Sequence, residues 1–190
     1  MPHTALDLCS AALVKLGARP LAGFDEGSAE AAIAGRLYPV ACDALLGAHP
    51  WGFSLAQAEL TPAPEQPAAD FAASFLLPAD MLRAISAGDG GRGHGLAYRI
   101  LGDRLHASAG RVLLTYQRRA PEELYPAHFV AALVARLAAE FCLPVTESAS
   151  RTQVLAKLAE AEMQLARLVD SQQATPPRID DAGLLGARLA

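Results

Sequence analysis

The 190-residue sequence is short of lysine, of aromatic residues and of any long uninterrupted apolar run. Two lysines stand against fourteen arginines, and 16 basic against 20 acidic side chains leave a net charge of −4. That balance argues against a general grip on nucleic acid, since such proteins usually present a basic stripe. The three cysteines, Cys9, Cys42 and Cys142, are odd in number, far apart and outside any CxxC pair. Neither a disulfide framework nor a zinc site is indicated, and buried free thiols are expected. The longest apolar tract, Phe129 to Val145, is broken by Arg136 and Glu140. It is expected to be too short and too charged to cross a bilayer, so no membrane partner is anticipated. The start, MPHTALDLCS, has no basic region ahead of an apolar stretch, and Asp7 falls where that stretch would lie. A product of the cytoplasm is expected.

What is present is a globular composition, with 52% hydrophobic and 19% charged residues, too apolar for a disordered chain. The length suits one domain with a real core, or a helical bundle carrying an inserted lobe. Charge is unevenly placed: residues 1–50 carry −2, residues 51–120 carry +1 and residues 121–190 carry −3. The middle differs from its flanks.

The periodicity follows the same division. Thr4 with Asp7 forms a capping box ahead of Leu6, Cys9, Leu13 and Leu16 at helical spacing, and Gly17 supplies a stop. Ser28 caps a second helix that Pro50 ends at His49, and Pro39 inside it predicts a kink near residues 35–39. From Trp51 to Arg119 the pattern shortens to strand length. WGFSLAQAEL, FAASFLLP, LAYRILGDRLHA and RVLLTYQRR read as strands, the third folding over Gly102-Asp103 as a hairpin. PADMLRAI reads as a helical turn leading into a further strand. Pro126 opens a third helix that Pro144 closes. Thr146 or Ser148 caps a fourth, in which Val154, Leu158, Ala161, Leu165 and Leu168 make a packing seam. The expected fold is mainly α with a β insertion: a four-helix bundle from residues 1–50 and 121–173, a small antiparallel lobe over 51–120, and an extended arm over 174–190.

Catalytic patterns are scarce. GDGGRG, Gly88 to Gly93, matches a phosphate-cradling motif, but the following HGLAYRILGD alternates like a strand and opens no helix. It reads as a hairpin tip. The five histidines form no HxH, HxxxH or HExxH, and Ser148 and Ser150 lack a nucleophile motif. No catalytic set, cofactor or metal site is therefore assigned, and the chain is not expected to be an enzyme. Arg99, Arg104, Arg111, Arg118 and Arg119 lie in the strand-rich region. They suit either a charged guard on an edge strand or a contact for phosphate or an acidic partner.

Five blocks carry a resemblance. LCSAALVKLGARPLAGFDEGSAEA and YPVACDALLGAHPWGFSLAQAEL open the chain; FLLPADMLRAI, YRILGDRLHA and VLLTYQRRAPEELYPAHFVAALVARLAAEFCLPVTES follow in order. Together they resemble the tail tubular protein A family, the head-to-tail adaptors of short-tailed bacteriophages. Gly52, after Pro50 and Trp51, and the pair Leu37-Tyr38 depart from the family pattern. The resemblance implies a helical bundle with a β-rich insertion, in a ring, usually twelve-fold, between the portal protein and the tail nozzle, tail tubular protein B. DNA would pass through the channel without sequence-specific binding, and the protein would reside at the head-tail junction of the virion after synthesis in the host cytoplasm. Pro50 and Trp51 are the expected structural junction between bundle and lobe, and Arg118, Arg119, Arg178 and Ile179 the expected partner or oligomer interface. A different class of reading is a bacterial cytoplasmic helical module that binds a small ligand, in a closed apolar pocket between its helices, or a protein partner.

Overall fold

Helix α1, Ala5–Lys15, begins where the Thr4 hydroxyl accepts from the Asp7 amide at 3.2 Å and the Asp7 carboxylate accepts from the Thr4 amide at 2.9 Å. It ends in a Schellman turn. Gly17, at φ +79°, allows Ala18 N–H to reach the Leu13 carbonyl while its own N–H reaches Val14. Helix α2, Ala29–Gly47, is capped by Ser28 and runs as one assigned helix through Pro39. It stops two residues before the expected His49, with Ala48 as its C-cap. The computed structural model describes residues 3–89 and 93–173.

The fold is mixed α+β, with four α-helices and two small antiparallel sheets among the described residues. Strands β1 (Leu55–Glu59), β3 (Met81–Gly88) and β6 (Leu113–Arg118) form one sheet in the order β1-β6-β3. Strands β2 (Ala73–Leu76), β4 (Tyr98–Leu101) and β5 (Arg104–Ala107) form the other in the order β2-β5-β4. The β4-β5 hairpin turns over Gly102 at φ +61°, as its sequence predicts. PADMLRAI does not make a helical turn of any length. Met81 N–H bonds the Pro78 carbonyl in a tight turn, and β3 starts at once, with register shifts between Met81 and Arg83 and between Ala84 and Ser86. Gly90 to Arg92 of GDGGRG lie outside the described residues, but the strands that flank the motif, β3 and β4, belong to different sheets, so a connection between sheets stands where a hairpin tip was expected.

Helix α3, Ala127–Thr146, continues through Pro144 rather than closing there. Proline in the last turn removes one donor but leaves the preceding turns intact. The stop falls at Glu147, which adopts the left-handed conformation at φ +53° and donates its N–H to the Leu143 carbonyl. Ser148 then caps α4, Ala149–Ser171. The tract expected to be too short for a bilayer is thus a 20-residue helix whose mean hydropathy of 1.7 does reach the range of a membrane span. Most of its large apolar side chains are nonetheless turned inward: Phe129, Leu133, Leu137, Phe141 and Cys142 are fully buried, with Leu143 exposed, and α3 contacts each of the other three helices.

Leu8 and Leu13 of α1, Leu46 of α2, the α3 residues and Ala166 of α4 share one core, so the first and last pairs of helices pack together. Phe75, Leu105, Val112 and Leu114 centre a second core among the strands. The fourth helix overturns its expected packing. Val154, Leu158, Leu165 and Leu168 are 54–58% exposed, and Ala161 is exposed as well. The inward face is instead Ala159, Ala166 and Asp170, with Leu155 and Met163 at its margins. Ala159 meets Ala135 and Ala139 of α3, small side chains that let the two helices approach closely.

Candidate functional site: the helix-strand junction at Trp51

A helix leaves its last carbonyls without partners, and α2 has no glycine cap to satisfy them locally. Three side chains from elsewhere do so. The Trp51 indole N–H donates to the Leu45 carbonyl at 2.9 Å. The Gln117 amide nitrogen, on β6, lies 2.5 Å from the Leu46 carbonyl and 2.6 Å from that of His49, and 3.0 Å from the Ser54 hydroxyl. Arg167 of α4 donates to the Ala48 carbonyl at 3.3 Å. The end of α2 is therefore tied to the junction, to the first sheet and to α4 at once.

Pro50 turns the chain out of the helix, and Trp51 N–H bonds the His49 carbonyl at 2.8 Å. The indole is fully buried. It meets His49 and Phe129 edge-on, with ring centroids 4.8 and 5.1 Å away, while Phe53 packs edge-on against both Phe129 and Tyr125. Edge-to-face contacts of this kind each add about 0.5–1.5 kcal/mol beyond area burial. Ser54, also fully buried, donates its hydroxyl to the Trp51 carbonyl at 3.1 Å.

Asp170 locks the far side. It is buried in the last turn of α4, where the helix dipole disfavours a carboxylate by roughly 0.3–1 kcal/mol. Its oxygens accept from Gly52 N–H at 3.2 and 3.3 Å and from His49 Nε2 at 3.2 Å, which offsets that penalty. His128 Nε2 lies 3.7 Å from the same carboxylate, beyond hydrogen-bond range, and has no other partner among the described residues. A methyl added at Gly52 would meet Asp170 Oδ1 at an ordinary 3.7 Å, so what this position contributes is its amide.

Pro50 and Trp51 thus stand where helix gives way to strand, in contact with α2, α3 and, through Gly52, α4. Gln117 and Asp170 were missed by sequence reasoning. Gln117 follows an apolar run and reads as an ordinary strand polar residue, and Asp170 reads as a solvated charge near a helix end. No local pattern announces that either meets α2 or the junction. Arg119 pairs with Asp43 of α2, and its backbone N–H donates to the Asp80 carbonyl at 2.9 Å. Its charge is engaged within the chain. Arg118 is half-buried, with Nε unpartnered among the described residues. Arg178 and Ile179 lie outside the described residues. Of the other arginines singled out in the sequence, Arg99 faces Asp70, Arg104 faces Glu65 and Asp103, and Arg111 faces Glu59.

A small cleft of about 350 Å³ beside the junction holds Tyr38, Cys42, Glu122 and Tyr125 under the Arg119–Asp43 pair. Cys42 Sγ lies 3.1 Å from the Tyr125 hydroxyl, and Tyr38 donates to Glu122 at 2.9 Å. Burial pushes the Cys42 thiol up and both phenols well above their usual range, so these groups stay protonated. That disfavours a thiolate nucleophile. Among the described residues no group of three His, Cys, Asp or Glu side chains is placed to hold a metal ion. The chain matches no protein-family model and no curated protein.

Proposed function

We propose that the chain is a structural connector without catalytic activity. More particularly, we read it as a head-to-tail adaptor of the tail tubular protein A type, a subunit of a ring, usually twelve-fold, between a portal protein and the tail nozzle, tail tubular protein B. In this reading residues 1–50 and 121–173 are a four-helix bundle, 51–120 an inserted β-rich lobe, and 174–190, which lie outside the described residues, an arm toward the portal. DNA passes through the channel unread, and the net charge of −4 suits a passage that should not retain phosphate.

The observation that carries the reading is the junction. Trp51, Gln117 and Asp170 fix the strand region against the helices through buried contacts, as a subunit must if its lobe is to present the same surface in every copy of a ring. The ordered sequence blocks that resemble the adaptor family support the particular assignment. Electron microscopy of the purified protein mixed with its cognate portal protein tests this. Rings capping the portal are the expected outcome, and a portal that stays bare at saturating protein would overturn the assignment.

A further inference from the structure

The fourth helix carries two unlike flanks. On one, Val154, Leu158, Leu165 and Leu168 stand more than half exposed in a stripe unbroken by charge. On the other, α4 helps line an open groove of about 600 Å³ that runs between α2 and α4 over α3. Alanines line much of it, among them Ala44 of α2, Ala48 at its C-cap, Ala139 of α3 and Ala156 of α4. At 3.6 residues per turn the stripe and the groove-facing residues Ala156, Glu160 and Arg167 lie roughly 150° apart around the helix. A ridge of large aliphatic side chains and a trough of small ones therefore point in nearly opposite directions from one element.

We infer that a second copy of this chain seats its α4 stripe in the α2–α4 groove, so that copies join head to tail. This rests on the connector reading and supplies its subunit contact. Patches that complement each other on opposite sides of one molecule generate heterologous contacts, which extend into rings where the rotation closes. Charge agrees with the match. Lys157 borders the stripe and Glu160 the groove, and among the described residues neither makes an ion pair. Docking brings that cation to Glu160 of the next copy, the groove's other charges being Arg167 and the Arg136–Glu140 ion pair.

Area sets the strength. The stripe spans Val154 to Leu168, about 22 Å of helix, and a helix is about 10–12 Å across. Its footprint of roughly 250 Å² is well below the ~800 Å² per partner of a stable pair. One such contact holds weakly, whereas a closed ring uses both flanks of every copy, so association is cooperative and concentration-dependent.

Two variants test the geometry. Leu158→Glu with Leu165→Glu removes the stripe and spares the groove; Ala44→Gln with Ala156→Gln fills the groove and spares the stripe. All four positions are exposed, so circular dichroism and thermal unfolding should match the parent chain. By sedimentation velocity the parent should self-associate below ~1 mM, and each variant alone should do so about tenfold more weakly or worse. A 1:1 mixture of the variants should regain one intact contact and stop at a heterodimer. Undiminished self-association of the groove-filled variant would overturn the docking, as would a parent chain that stays monomeric to ~1 mM. Portal-capping rings built from the stripe variant would also overturn it while leaving the connector reading standing. Bare portals beside a parent chain that associates as described would do the reverse.

Discussion

At the residue scale, Trp51 combines the largest fully buried side chain with a donor that completes a helix end. Trp51→Ala should cost about 3–5 kcal/mol in urea unfolding, and Trp51→Phe distinctly less, because the phenyl ring keeps much of the packing and forfeits the bond to Leu45. An alanine variant within 1 kcal/mol of the parent, roughly the cost of a neutral surface change, would mean that the indole is not anchoring the junction. If the connector reading holds, the same alanine variant should also assemble irregular rings.

Titratable residues set the pH window. Thr4's bonds hold the Asp7 carboxyl below its ordinary 3.8, and Ser28's bond holds Glu26 below 4.5. Their stabilisation is present above those ordinary values and is lost as pH falls through the lower folded ones. Burial, with Cys42 nearby, pushes the Cys9 thiol from 9.0 up to about 12, and Cys42, Tyr38 and Tyr125 move the same way for the same main reason. These groups stabilise the fold fully below their unfolded values, and that stabilisation declines as pH climbs from about 9 toward 12. The thermal midpoint should therefore be flat across roughly pH 5–8 and fall on both sides. A midpoint unmoved above pH 9 would contradict burial of the thiols and phenols.

At the scale of elements, α4 shows how hydrophobic periodicity can select the wrong face. Its leucines step by four and three along a regular seam, yet the face against α3 is built from alanines, which contribute close approach rather than large apolar area. The two assignments predict opposite mutational responses. Leu165→Ala should change stability of the isolated chain by no more than about 0.5 kcal/mol, while Ala166→Leu should destabilise it by about 1–3 kcal/mol through overpacking. Guanidinium unfolding of the two single variants decides between them. Large loss at Leu165 with tolerance at Ala166 would restore the leucine seam as core. Prolines misled in a related way. Pro144 sits in the final turn, where one missing donor is tolerable, and the helix stops at the left-handed Glu147 instead.

At the scale of the molecule, helices α1 to α4 share one core and the strands between α2 and α3 enclose another, with the junction holding the two together. Much of this was legible from local signals. The capping box at Thr4, the stop at Gly17, the cap at Ser28 and the hairpin at Gly102 all fall where the sequence places them, and of the two caps it offered for α4 the structure uses Ser148 rather than Thr146. The place of Pro50 and Trp51 at the change from helix to strand was legible too, because a lone tryptophan after a helix-ending proline marks a change of direction. What the sequence determined by itself is what neighbouring residues settle between them: caps, turns, helix or strand, and which segments need burial. Tertiary structure alone decided that Gln117 closes the end of α2 from 68 to 71 positions away, that Asp170 reaches Gly52 across 118, and that the leucine flank of α4 stays outside. The physical reason is that hydrophobicity records which side chains leave water favourably, whereas the face a helix buries depends on which partner surface can approach it, and that surface comes from residues distant in the chain.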